Sequence, residues 1–420
     1  MPPLRILFLT PYVPSLLRGR PYNLLRHLHA AGHRVTVVTA YASEAERADL
    51  PAVRDICDRL VAVRVPRLRS LWNCACALPR PAVPFQAVYT RSPALMAAVH
   101  GALRDAAQAG QPCDVLHVEH LRAALTGLSV SALPRVYDAV DCMTRLLDKT
   151  RRLSEHRPSR IGAWLDGART RRFEAQVTRR FDRVLVTSTV ERQALADLAA
   201  DAEAAERITA VSNGVDLDYF RPGGAPRDPA TLLFVGRMGY HANINAVVHM
   251  MRDILPLIWA RRPEVRFVVV GPDPPSLLRR AARQGADRIR FEGYVPDVRP
   301  YVARATVAVA PFVYAVGLQN KILEAMAMAT PVVTTAAGAG PLGAQVDEHL
   351  LVAPDAPAFA QQVVCLLDDP SLCERIGRGG RQYVTAAHDW TVVTQQLGGV
   401  YEQSVAEFRR RRGLRAGSPG

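Results

Sequence analysis

The chain has 420 residues, enough for two or three domains, and 49% of them are hydrophobic, which supplies full-sized cores. The formal charge is +14, with +10 of it in residues 1–205, so that half suits an anionic partner such as a nucleic acid, an anionic membrane face or a phosphorylated substrate. Seven scattered cysteines with no second pair at metal-ligand spacing argue against a disulfide framework and a zinc site, and no apolar run reaches the roughly 18 residues of a membrane span.

In chain order, "LRILFLT" reads as a strand, followed by the loop "PYVPSLLRGR". Its apolar run is too short for a signal peptide and is closed by Pro11. Leu24, Leu25, Leu28 and Ala31 then make the stripe of a helix that Gly32 ends, and "HRVTVVTA" is the next strand. This is the βαβ rhythm of a parallel sheet. Further strands read at "LVAVRVP", "CDVLHVEH", "RVYDAVD" and "FDRVLVTS". Residues 67–90 show no clean period and are expected to form a mobile loop, and 145–180 a basic helix or helix pair. The Asn/Gly/Pro-rich stretch "ITAVSNGVDLDYFRPGGAPRDPA" is the expected linker.

A second series follows, with strands at "TLLFVGR", "VRFVVVG", "IRFEGYV", "TVAVAPF" and "TPVVTTA". Helices are expected near 243–260, 275–285, 318–329, 356–368, 370–387 and 390–412. The reading is therefore α/β, with two Rossmann-like parallel-sheet domains facing a cleft. The expected parts are 1–205, 206–389 and a C-terminal helix with basic tail over 390–420. Ligands of such sheets bind at the carboxyl ends of strands.

Only two of the 53 basic residues are lysines, Lys149 and Lys321. Lys321 falls in "GLQNKILEAMA", between a strand and a helix of good helix formers. Helix N-terminal amides after Gly317 make an anion site, and Lys321 adds a point charge suited to phosphate. One turn on, the Glu324 carboxylate can accept from a diol such as a ribose. Arg237, after Gly236 at a strand end, can fork onto a phosphate. Alternatively, both cations are ordinary solvated charges. Gly338–Gly343 is a literal G-x-G-x-x-G, but no long helix opens after it, which disfavours a dinucleotide site. Asp216 and Asp218 form a D-x-D among turn residues and are not expected to hold metal. His117, Glu119 and His120 sit at one strand end and Asp138 and Asp141 at another, where they can orient a substrate or serve as a base.

These features together resemble a glycosyltransferase of GT-B fold, within the retaining family four. "NGVDLDYFRP" is similar to the family's linker motif, "VGRM" to its Gly-Arg, and "LEAMAMATPVVTT" to the segment after its donor site. "GLQNKILEAMA" looks most like bacterial members associated with exopolysaccharide assembly. The resemblance implies that Arg237 and Lys321 hold a donor diphosphate and that Glu324 binds its ribose. It also implies that Gly19 lets backbone approach the donor and that Gly317 faces phosphate or sugar.

Two departures stand out. Val316 occupies the place of a family Glu that touches donor-sugar hydroxyls, which leaves Gln319 and Asn320 as substitutes. "GYHANINA" lacks the second basic residue, which leaves Lys321 as the second cation. The resemblance implies no cofactor and no metal, a saccharide or polyprenyl-diphosphate-linked acceptor, no nucleic acid, and a cytoplasmic protein in peripheral contact with an anionic membrane. A nucleotide-sugar epimerase of the same architecture, or an inactive partner of an active transferase, is the competing expectation.

Overall fold

In β1 (Arg5–Thr10), every residue from Ile6 onward is buried, as a parallel strand covered on both faces requires. A computed structural model describes residues 3–153, 157–224, 226–272, 274, 278, 288–315 and 317–413. Val316 and all but one residue of the expected 275–285 helix lie outside them.

The first compact unit comprises residues 1–152, 158–212 and 393–420. After β1 come β2 (Arg34–Tyr41), β3 (Arg59–Arg64), β4 (Val115–Glu119), β5 (Arg135–Val140), β6 (Arg183–Val186) and β7 (Ile208–Ala210). They form one parallel sheet in the order β3-β2-β1-β4-β5-β6-β7. β7 lies inside the stretch read as linker. Its three residues pair with Val184–Val186, so the chain leaves this unit after Ser212 rather than at 205/206. The core gathers Leu7, Leu9, Leu116, Val118 and the stacked rings of Tyr137 and Phe181.

The mobile loop expected over residues 67–90 is corrected. Helices run Arg67–Ala77 and Phe85–Val88. The longer one escapes a core-periodicity search because it buries Ser70 and Ala77 and turns its large apolar residues to solvent. The 145–180 stretch is a helix pair, Met143–Leu153 and Arg157–Arg180.

The second unit comprises residues 153–157 and 213–392. Its strands are β8 (Thr231–Val235), β9 (Arg266–Val270), β10 (Ile289–Gly293), β11 (Val307–Ala310), β12 (Val332–Thr335) and β13 (Leu351–Ala353). They form a parallel sheet in the order β10-β9-β8-β11-β12-β13, over a core that includes Phe234, Phe267, Phe312 and Phe359. The 243–260 helix carries a π-helical segment at Met250–Ile254, just before Pro256, whose ring cannot follow an uninterrupted ladder. Among the described residues no helix is long and apolar enough to cross a membrane.

Candidate functional site

Each sheet has a switch point, where successive crossovers run to opposite edges and leave a crevice at two strand ends. In the second sheet it lies between β8 and β11. Gly236 and Arg237 follow β8. The loop after β11 leads to the helix Asn320–Ala327. That helix buries Ile322, Leu323, Ala325 and Met326, so Lys321 and Glu324 fall together at its half-buried edge.

Lys321 Nζ donates to Asn243 Oδ1 at 2.6 Å and stands 5.0 Å from the rings of both Phe234 and Phe312. Burial pushes its ammonium down to about 8, against the attraction of Glu324. Burial raises the Glu324 carboxyl, with Lys321 opposing. Among the described residues no donor is paired with that carboxylate, which leaves it able to accept from a ligand. Buried Asn243 also donates to the Arg237 carbonyl at 2.8 Å, so one amide ties the helix to the β8 loop.

Two glycines allow this closeness. A methyl on Gly236 would lie 2.8 Å from Asn243 Nδ2 and 3.0 Å from Lys321 Nζ. Gly271, at φ +150°, would place one 1.9 Å from the Gly236 carbonyl. The Arg237 side chain is exposed and pairs with no described residue. Gly317 has φ 65°, and its carbonyl accepts from Gln319 Nε2 at 3.4 Å. Asn320 Oδ1 accepts from Asn213 Nδ2 at 3.1 Å. The structure therefore brings Lys321, Glu324 and the Gly236–Arg237 backbone together. It engages Gln319 within its own loop and Asn320 with an asparagine 107 residues away in the chain. Gly338–Gly343 forms a one-turn helix and a 3-10 turn, and Asp216 Oδ1 caps its own turn by accepting from Asp218 N and Tyr219 N.

In the first sheet the switch point lies between β1 and β4, with β5 beside them. Glu119 and Asp138 are register partners on β4 and β5, and both are fully buried. Arg20, from the first turn of the helix Gly19–Ala30, bonds Asp138 at 2.8 Å and the carbonyls of Val211 and Ser212 at 3.1 and 2.9 Å. His117 stacks on Phe8, meets Tyr401 Oη at 2.8 Å through Nδ1, and lies 3.4 Å from Glu119 Oε2 through Nε2. Glu119 Oε1 has no partner, and burial, then Asp138, raises this carboxyl. One ligand atom each from His117, Glu119 and Asp138 lies within 4.8 Å of the others. The Arg20 cation already neutralises Asp138, so an added metal ion would meet like charge there.

The residue just after β4 and the last residue of β5 are backbone outliers. His120 has φ 65° and Val140 φ 67°, a conformation that costs a β-branched residue most. His120 Nδ1 accepts from Arg122 N at 3.2 Å, and burial lowers the ring to about 4. At neutral pH His120 is thus neutral, with its proton on Nε2, a hydrogen-bond donor rather than the base considered from sequence. Asp141 accepts from Thr187 Oγ1 at 3.0 Å and is pushed up to about 6 by burial and then by Glu191. Gly19 opens its helix with only Asn23 near the place of a Cβ, at 3.7 Å, so its approach side is clear.

Sequence reasoning missed Arg20, Asn243, Gly271 and Tyr401. "RGRP" held a signal for the first, because Pro21 at the start of a helix places Arg20 in its first turn.

Residues 21–219 match the family described as Glycosyltransferase Family 4, and residues 229–369 match Glycosyl transferases group 1. D-inositol 3-phosphate glycosyltransferase 2 of Catenulispora acidiphila is 34% identical over 264 residues, 56% of this chain and 59% of that protein. D-inositol 3-phosphate glycosyltransferase 1 of the same organism is 29% identical over 392 residues, 86% of this chain and 85% of that one. This chain thus spans somewhat over half the length of the first relative and most of the second. Among solved structures, Anabaena HepE in complex with UDP and glucose superposes with a TM-score of 0.65 at 16% identity, over 95% of this chain and all of that one. At this identity it establishes the shared fold.

Proposed function

The chain belongs to the family-four glycosyltransferases of GT-B fold, and from that premise we propose that it moves a sugar from a nucleoside diphosphate sugar to a saccharide or lipid-linked saccharide, with retention at the anomeric carbon. One observation carries the reading: Lys321 is fixed by Asn243 beside Gly236, with an unpartnered Glu324 carboxylate one turn on, at the sheet's switch point. Loss of a nucleoside diphosphate builds charge on its β-phosphate, and a fixed ammonium, first-turn amides and the exposed Arg237 supply the balancing charge without a metal. Glu324 accepts from the ribose diol. The acceptor hydroxyl attacks on the leaving-group face, and the departing phosphate takes its proton. Gln319, Asn320 and Gly317 line the sugar end.

In the first unit, His120 donates from Nε2 to an acceptor hydroxyl, while buried Glu119 acts through His117 as a positioning residue. Asp141 contacts the acceptor. The surplus of +10 in residues 1–205 suits an anionic acceptor, as in exopolysaccharide or other cell-surface glycan assembly.

The test is calorimetry with UDP, GDP, ADP and their sugar conjugates on the wild type and on Lys321→Ala. One nucleotide should bind, and the variant should lose about 10- to 100-fold in affinity, the worth of a charge-assisted contact. Lys321 holds its proton below its own value of about 8, so wild-type affinity should fall from pH 7 to 9 while the variant stays flat. No nucleotide binding by the wild type sinks the proposal. Epimerised donor, formed without acceptor, would move the reaction class to an isomerase.

A further inference from the structure

The two units share a plan, and their matching grooves differ in charge. In each, a helix carries the chain from the edge strand back to the sheet centre: Pro93–Gln108 between β3 and β4, and Arg299–Arg304 between β10 and β11. Beside each crossover helix lies a groove floored by the first three strands of the sheet, toward their amino ends. In the first unit the arginines of this groove are matched in place. Arg34, which opens β2, pairs with Asp58 at 2.7 Å, and Arg59, which opens β3, pairs with Asp105 of the crossover helix at 2.6 Å.

In the second unit the crossover helix has six residues and brings an arginine to the groove, Arg304, which pairs with Asp228 at 3.2 Å. Arg266, which opens β9, and Arg290, in β10, are exposed, and neither forms an ion pair with a described residue. Val268 is the register partner of Arg290, so Arg266, two residues before Val268, is the diagonal neighbour of Arg290 on the same face. Like charges placed so on a sheet repel, and a shared anion turns that repulsion into two charge-assisted contacts.

The rest of the groove suits a larger ligand than a bare anion. Its volume is about 480 Å³, within the range of small-molecule sites. Leu233 and Val268 give it an apolar floor, Tyr301 an aromatic wall, and Glu292 and Asp228 offer carboxylates to hydroxyl groups.

We infer that this groove is a second ligand site, for a phosphorylated monosaccharide. The phosphate sits between the Arg266 and Arg290 guanidiniums, the sugar ring lies over Leu233 and Val268 beside Tyr301, and its hydroxyls donate to Glu292 and Asp228. Free phosphate would leave the floor and both carboxylates unused. The site is distinct from the donor crevice: it lies toward the amino ends of β8 and β9, whose carboxyl ends lead to Gly236 and Gly271. The inference goes beyond the donor assignment and does not depend on it.

The experiment is calorimetry on the full chain with a panel of hexose 6-phosphates, the free hexoses and inorganic phosphate. At least one hexose phosphate should bind, one per chain, and at least 10-fold more tightly than its free hexose or inorganic phosphate. Arg266→Gln and Arg290→Gln should each weaken that binding at least 10-fold. Lys321→Ala should bind the same hexose phosphate as the wild type does, and saturating nucleotide should not displace it. Both arginines are exposed, so unchanged melting temperatures are expected. For a variant that fails to fold, phenylglyoxal modification of the wild type decides: hexose phosphate should protect Arg266 and Arg290 and leave Arg34 and Arg59 as reactive as before. Absence of hexose phosphate binding, binding that survives both substitutions, or loss of binding in Lys321→Ala overturns the inference. So does displacement by nucleotide, or inorganic phosphate that binds as tightly as the hexose phosphate.

Discussion

Asp141 shows how a residue's chemistry departs from its type. Its carboxyl is raised from the ordinary aspartate value to about 6 by burial and by Glu191. Because the folded value lies above the unfolded one, ionisation costs stability, a cost that grows as pH rises from about 4 to 6 and is then constant. Asp141→Asn should raise the melting temperature at pH 7.5, and the gain should vanish near pH 4. A gain equal at both values would show that burial of the charge is not its origin. Lys321 was legible in the sequence, as one of two lysines, placed between a glycine and a helix. Asn243 was not, because an asparagine in "GYHANINA" acquires meaning only from a lysine 78 residues away.

Elements follow a similar division. Long strands announce themselves as apolar runs, whereas β7 and β13 have three residues each and are identified by their pairing partners. The C-terminal helix Trp390–Arg411 was legible by period, but its anchors were not. Tyr401 reaches His117, Arg411 bonds Asp182 at 2.6 Å, and Glu407 pairs with Arg183. Tyr401→Phe removes the hydroxyl and leaves buried His117 Nδ1 without its partner, a loss of about 1–3 kcal/mol. Urea denaturation should show this loss, and an unchanged midpoint would mean that the hydrogen bond contributes nothing to docking the helix.

For the whole molecule, the chain divides into two units that each hold their own sheet and core. A ligand that binds only the native second unit stabilises it by mass action, about 2.7 kcal/mol at a concentration 100 times Kd. Hydrogen exchange with saturating nucleotide should therefore slow in β8, β11 and the helix Asn320–Ala327. Protection confined to residues 5–212 would place the nucleotide in the other unit.

The sequence by itself determined the α/β class, the strand–helix alternation, the Gly-Lys-Glu spacing and the basic bias of the first half. These are written in local period and in residue type, which the backbone geometry of helices and strands reads over a few positions. Only the tertiary structure decided that Arg20 clamps Asp138, that His120 is neutral, that Glu119 is enclosed and that the helix Arg67–Ala77 turns its leucines outward. Those properties depend on desolvation and on partners up to hundreds of residues away in the chain, and no window of sequence contains them.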